Sequence, residues 1–325
     1  MTTLEKKVAG SLAAGLIGDA MGAPAEGKTY AWLEESLGWI ESFEGQGTDD
    51  SAVKAMIIDA IANNNGYAGA DEFADSLVRN KQYHRMLYTP VLNAYAKVRD
   101  GVTLPVDAGY GNMQSSSSAM AISPMGLINP CNPRRAAMEA YDVAGVIHSG
   151  PANFCRDGAC AIAAAVAEAM NPNATCQGVL EASVKYLHQK SAGVMIGRIN
   201  ETLALATECG EYKRFRAAFY ERPLYNEMCD SRETVPVALA LFCLAQGDPN
   251  QSILYSANFG RDADTIATMA GAIAGAFKGI DALRPEWVAQ VAQGIAPQQK
   301  QILEAVRKRM EDASAIEAAV RGLVD

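Results

Sequence analysis

The sequence predicts an all-α fold, and three observations carry that expectation. Hydrophobic residues make up 49% of the chain but aromatic residues only 7%. The apolar content therefore leans on alanine, which lets helices pack closely, while the β-branched and aromatic clusters typical of strands are sparse. Apolar residues recur at helical spacing, beginning with Leu4, Val8, Leu12, Leu16 and Met21. Gly, Pro and capping residues then cut the chain into pieces of ordinary helix length.

Taken in order, residues 4–22 form the first expected helix, stopped by Gly22-Ala23-Pro24. A Gly-containing loop runs to Gly45-Gln46-Gly47. Thr48-Asp49-Asp50 opens a helix that extends to about Asn63, where Asn63-Asn64-Asn65-Gly66 closes it. Helices are expected at about 70–80 and 82–99. Residues 100–132 read as mostly loop, rich in Gly, Ser and Pro, and a connection of that length is usually functional or disordered. Further helices are expected at about 133–149, 155–170, 175–190, 193–208, 211–220, 232–246, 248–257, 262–278, 285–293 and 298–322. No internal repeat, charge block or linker interrupts the pattern, so the expectation is one compact multi-helix domain over residues 1–325.

Composition narrows the function. The net charge of −9 argues against a nucleic-acid partner, which needs a basic surface for phosphate contacts. Seven cysteines without a CxxC pair argue against a disulfide framework and suit a reducing compartment. The opening residues lack a leader pattern, and no apolar stretch is long and uncharged enough to span a bilayer. A cytoplasmic protein without a membrane partner is expected. Three histidines with no H-x-x-x-H pair make a His-based zinc site improbable. No G-x-S-x-G elbow is present either, which leaves a serine-hydrolase reading weak.

Two acidic clusters remain. Thr48-Asp49-Asp50 precedes the apolar helical pattern of Val53, Met56, Ile57, Ala60 and Ile61; Asp262-Ala263-Asp264-Thr265 precedes Ile266, Met269, Ala270, Ile273 and Ala274. Each can be read as a helix cap, because hydroxyls and carboxylates satisfy first-turn N–H groups and complement the dipole. Each can also be read as a set of hard oxygen ligands for Mg²⁺, Mn²⁺ or Ca²⁺. The two clusters mirror one another at expected helix starts. If those starts meet, four carboxylates converge and require cations to balance them. Two metal ions about 3.5–4 Å apart would suit such a constellation. Gly260, just upstream of the second cluster, permits a left-handed turn.

On these motifs the chain resembles the ADP-ribosylglycohydrolase family. The resemblance runs from Gly10 through Gly18-Asp19-Ala20-Met21-Gly22-Ala23-Pro24-Ala25-Glu26 and Gly47-Thr48-Asp49-Asp50-Ser51. It continues at Ser118-Ala119-Met120-Ala121-Ile122-Ser123-Pro124 and His148-Ser149-Gly150-Pro151. It closes with Gly260-Arg261-Asp262-Ala263-Asp264-Thr265 and Ala274-Gly275-Ala276. It implies an all-α ADP-ribosylglycohydrolase-like fold, a centre of two Mg²⁺ or Mn²⁺ ions, and hydrolysis of a glycosidic bond at the ribose C1″ of ADP-ribose. Carried over, the metal ligands are Thr48, Asp49, Asp50, Asp262, Asp264 and Thr265. Glu26, Asp49 and Asp262 take the catalytic positions, with Glu26 or Asp19 as a base for the attacking water. Asp19, Ser116, Ser117, Ser118, Met120 and His148 take substrate-binding positions. Asp19 also reads as a residue orienting the first helix, and His148 as a cap or packing residue. The chain departs from the family pattern in three places: Ser115 to Ser118 stand where members often carry an Asn-Gly or Gly-Ser pair, Ala121 replaces an expected Arg, and Arg261 stands where many members carry a second Gly. The partner is then an ADP-ribosylated protein or a small riboside. An inactive ADP-ribose-binding protein is the alternative from a different class.

Overall fold

The computed structural model describes residues 1–324, and helices dominate it. In chain order they are α1 (Thr3–Gly22), α2 (Tyr30–Ser36), α3 (Asp49–Asn63), α4 (Ala70–Arg79), α5 (Thr89–Arg99), α6 (Ser123–Leu127), α7 (Pro133–Gly145) and α8 (Asn153–Ala169). These are followed by α9 (Cys176–Lys185), α10 (Gly193–Cys209), α11 (Tyr212–Tyr220), α12 (Ser231–Leu244), α13 (Pro249–Ala257), α14 (Ala263–Lys278) and α15 (Pro285–Arg321). Two short strands, β1 (Lys28–Thr29) and β2 (Gly260–Arg261), pair antiparallel with Lys28 opposite Arg261 and Thr29 opposite Gly260. The all-α expectation is met.

The central feature is the contact between α1 and α14, and small residues make it possible. A Cβ built on Gly275 would lie 2.1 Å from the Gly10 carbonyl oxygen, and one on Gly18 would lie 2.3 Å from the Ala267 carbonyl oxygen. Only glycine permits backbones to approach this closely. Lys7 fastens the far end of the pair. Its Nζ donates to the carbonyls of Ala169, Ala276 and Phe277 at 2.7–2.9 Å, a cation at the negative ends of α8 and α14. Around this pair one contiguous apolar core extends from Val8 to Val306.

Several elements differ from the sequence expectation, each for a physical reason. The helix expected over 82–99 begins only at Thr89, because Lys81–Tyr83 form a separate tight turn. Pro90 sits in the first turn of α5, where its missing N–H is not needed. The expected loop 100–132 contains α6, and Ser115–Ser118 are buried within it. α2 was not anticipated; Thr29 caps it by accepting the Trp32 N–H at 3.3 Å. Residues 285–321 form one helix where two were expected. Pro297 removes one hydrogen bond, yet Trp287, Val291, Ile295, Ile302 and Val306 bury one continuous face across it. That packing outweighs a proline cost of about 3 kcal/mol.

Candidate active site

The first acidic side chain to be placed is Glu26. α1 ends at Gly22, where a Cβ would lie 2.4 Å from the Asp264 Cα. The chain then turns through Ala23–Ala25, and Gly27 donates its N–H to the Arg261 carbonyl at 2.8 Å. The β1–β2 pair continues this staple. Glu26 is thereby held against the 260–265 segment. One carboxylate oxygen from each of Glu26, Asp262 and Asp264 lies within 4.8 Å of the other two.

The start of α3 is brought to the same place by Asp19. This α1 carboxylate is fully buried. It accepts the Thr48 N–H at 2.9 and 3.0 Å, the Ser51 N–H at 3.0 Å, and the Ser51 hydroxyl. It satisfies first-turn donors that α3 cannot satisfy itself. Thr48 is the N-cap, and its Oγ1 accepts the Asp50 N–H at 3.3 Å. The Thr48 hydroxyl therefore caps α3, while Asp49 and Asp50 face a cavity.

That cavity has a volume of about 210 Å³. Glu26, Asp49, Asp50, Asp262, Asp264 and Thr265 line its acidic part, and Ser116, Ser117 and Met120 line another side. Met86-Leu87-Tyr88 and Glu227-Met228-Cys229 form its remaining walls. Ser116 Oγ donates to Asp262 Oδ2 at 2.8 Å. The Tyr88 N–H donates to Asp49 Oδ2 at 3.2 Å.

The electrostatics follow from burying like charges together. Burial, reinforced by the facing Asp264, raises Asp50 well above the usual carboxylate range; burial and neighbouring Asp262 do the same to Asp264. Burial pushes Asp262 up to about 7 and Asp49 up to about 6. Glu26 is also raised, by burial and then by Asp19. Lys54, one turn after Asp50, is a buried cation behind the cluster; its Nζ donates to Thr268 Oγ1 at 2.7 Å. Burial lowers its pKa against the pull of Asp19 and Asp50.

The residues present fit a divalent cation. Asp50 Oδ1 and Asp264 Oδ1 are buried and have no hydrogen-bond partner among the described residues. A buried carboxylate oxygen without a donor is costly, and a hard cation removes that cost. The donor set is all oxygen, which suits Mg²⁺ or Mn²⁺.

The structure brings Glu26, Asp49, Asp50, Ser116, Ser117, Met120, Asp262, Asp264 and Thr265 to one cavity. It places four other expected site residues behind it. Asp19 spends both oxygens on α3, and Thr48 spends its hydroxyl on Asp50. His148 is fully buried, with Ser118 Oγ 2.8 Å from its Nδ1 and Ser115 Oγ 3.1 Å from its Nε2. Ser118 and His148 thus hold the serine segment whose neighbours, Ser116 and Ser117, face the cavity.

The chain is similar to known proteins along most of its length. The ADP-ribosylglycohydrolase family model matches residues 1–319. The chain belongs to this family. The Escherichia coli protein YegU is 26% identical over 314 residues, covering 88% of this chain and 92% of its own. The Gallus gallus ADP-ribosylhydrolase ARH3 is 24% identical over 331 residues, covering 86% and 87%. A solved structure titled "ADP-ribosylglycohydrolase-related protein complex" shares the fold at a TM-score of 0.70 and 19% identity, covering 95% of this chain and 99% of that one.

Two of the departures from the pattern of the ADP-ribosylglycohydrolase family have a clear structural setting. Ala121 is fully buried in the core rather than on the cavity wall. Arg261 adopts a φ of +62°, directly after Gly260 at +81°, so the position favours glycine and an arginine there is disfavoured by its own backbone. The wall residues Met86, Leu87, Tyr88, Glu227, Met228 and Cys229 carry no local motif and were missed in the sequence. Lys54 left one signal, a lone cation within the apolar run Val53–Ile58.

Proposed function

We propose that this chain is a divalent-metal-dependent hydrolase that cleaves the glycosidic bond at the ribose C1″ of an ADP-ribosyl substrate. Family membership supports the broader class, a glycosidic-bond hydrolase of ADP-ribosylated substrates. The observation that carries the finer reading is the pair of buried, partnerless carboxylate oxygens on Asp50 and Asp264. Asp49, Asp50, Asp262, Asp264 and Thr265, with Thr48 behind them, would hold Mg²⁺ or Mn²⁺, and the number of carboxylates suits two ions. Such ions, when bound, would supply charge balance, help orient ribose hydroxyls and lower the pKa of water.

The chain's own residues do the rest. Glu26, at the open side of the acidic group, accepts the proton of the attacking water; its raised pKa suits that task. The carboxylates of Asp49 and Asp262 favour the positive charge that develops at C1″ in an oxocarbenium-like transition state. Ser116 and Ser117 present hydroxyls to the sugar, with Ser116 oriented by Asp262. We read residues 1–325 as one domain, supported by the continuous core.

The cavity favours one substrate arrangement. Its volume of about 210 Å³ is below the roughly 300–1,000 Å³ of typical ligand pockets. It suits the ribosyl end, leaving the rest of the molecule to lie across the rim of Met86, Tyr88 and Met228. The same size favours, as second reading, a small riboside over an ADP-ribosylated protein.

The test is incubation with Mg²⁺ or Mn²⁺ and a panel of ADP-ribosyl-arginine peptide, ADP-ribosyl-serine peptide, O-acetyl-ADP-ribose and nucleosides, with release followed by mass spectrometry. Release of ADP-ribose that disappears with EDTA and in Asp264→Ala is expected. Release of ribose from nucleosides alone would establish the second reading. Release that persists in both controls would refute the metal-dependent reading.

A further inference from the structure

Arg261 occupies a left-handed backbone position, so its side chain must supply what its backbone disfavours. Its Nε donates to Glu233 Oε1 at 2.7 Å, and one terminal nitrogen donates to Glu233 Oε2 at 3.2 Å and to the Tyr225 carbonyl at 2.6 Å. Glu233 Oε2 also accepts the Tyr225 N–H at 3.3 Å. Both polar backbone groups of Tyr225 are therefore held by one part-buried ion pair, whose Glu233 carboxylate is 2% exposed. The Tyr225 ring is fixed as well, with the Arg232 guanidinium over it at 4.3 Å. Two residues further on, Glu227, Met228 and Cys229 form one wall of the acidic cavity. The far end of that wall is closed by the Asp230 N–H donating to the Glu227 carbonyl at 3.2 Å.

We propose that Arg261 and Glu233 form a clip that fixes the 225–229 wall against the acidic cluster and so sets which leaving group the cavity accepts. Arg261 is then a positioning and specificity-determining residue. It is the side-chain link between the second acidic motif and the wall facing the substrate. A bidentate guanidinium–carboxylate pair is rigid in both distance and angle. A fixed wall selects by size, because it cannot yield to a bulkier group. The specificity part of this inference rests on the hydrolase reading above; the clip itself does not.

The test compares wild type with Arg261→Lys, Arg261→Gly and the double variant Arg261→Gly/Glu233→Gln. Glycine suits the backbone at 261, and glutamine avoids leaving a buried unpaired charge, so the double variant keeps the fold. Hydrogen exchange of the 225–229 amides is measured together with Mn²⁺ affinity. KM and kcat are measured for O-acetyl-ADP-ribose and for an ADP-ribosyl peptide. In the double variant, amide exchange should rise about tenfold or more, since hydrogen bonds to a charged group are lost. Mn²⁺ affinity should stay within about twofold, and the KM preference between the two substrates should narrow about tenfold while kcat changes little. Arg261→Lys, which keeps the charge but not the fork, should fall between. Unchanged exchange would overturn the clip. Loss of Mn²⁺ affinity with an unchanged substrate preference would overturn the specificity role and leave Arg261 as a support for Asp262 alone. If wild type cleaves neither substrate, the hydrolase reading fails; the clip is then judged by exchange, and the wall's role by whether ADP-ribose affinity drops in the double variant.

Discussion

Gly22 of α1 lies so close to Asp264 of α14 that a Cβ at position 22 would sit 2.4 Å from both the Asp264 Cα and its backbone nitrogen. Helix packing and site geometry are the same contact here. Gly22→Ala must move Asp264, at an overpacking cost of about 1–3 kcal/mol. Metal affinity should fall with stability. Gly193→Ala, where a Cβ meets nothing within 4 Å, is the control. Thermal unfolding with and without Mn²⁺ checks this: equal Mn²⁺-induced stabilisation in Gly22→Ala and wild type would show that Asp264 had not moved.

Asp19 accepts from Thr48 and Ser51 at the start of α3. Asp19→Ala should lose about 0.5–2 kcal/mol of stability as a lost cap. It should also weaken metal binding about 10–100-fold, the usual effect of removing a residue that orients ligands. Asp19→Asn keeps one acceptor and should be milder on both counts. Calorimetric titration of Mn²⁺ into the three proteins gives the order; Asp19→Ala binding as tightly as wild type would remove Asp19 from the positioning role.

His148 gives a pH dependence of definite sign. Burial pushes its pKa down to about 3 from an ordinary value of 6.5. Between those values the unfolded chain binds a proton that the folded chain does not. Its contribution to stability is therefore present above 6.5 and lost as pH falls through this window, by about 1.4 kcal/mol per pH unit. In His148→Gln that loss should vanish. Urea unfolding of both proteins from about pH 7 to pH 5 measures the difference in slope; parallel curves would mean that His148 is charged in the folded state.

How much of this was legible beforehand depended on whether the signal was local. α1 and α3 carry their own caps, and α14 follows a Gly-Arg-Asp turn with clear apolar periodicity, so the starts of all three are legible within a residue or two. α2 and α6 are seven and five residues long, too short for a period to show. The continuity of α15 through Pro297 is decided by packing that one sequence does not display. The two acidic motifs were legible because each sits within a few consecutive residues. The walls at Met86–Tyr88 and Glu227–Cys229 were not, because irregular segments acquire their positions only from distant partners, as Tyr225 does from Arg261 and Glu233. Asp19 was visible as a residue but not as the organiser of a helix 29 positions away.

The carboxylates impose the opposite pH trend on the metal-free protein. Asp49 and Asp262, raised to about 6 and about 7, bind protons in the folded state that the unfolded chain has released. Their contribution is present below the ordinary carboxylate range and is lost as pH rises through 6 and 7. The EDTA-treated protein should lose Tm between about pH 4 and pH 7, and the Tm gain from added Mn²⁺ should grow over the same range. Differential scanning calorimetry at several pH values measures both. A Tm gain that is flat with pH would mean that the metal does not compete with protons at these carboxylates.

The most direct test is isothermal titration of Mn²⁺ into EDTA-treated, dialysed protein, comparing wild type with Asp264→Asn. Saturable binding in wild type, lost or sharply weakened in Asp264→Asn, is the predicted result. No binding by folded wild type would contradict the account at its centre: Asp50 and Asp264 would then bury partnerless oxygens for some purpose other than holding a cation.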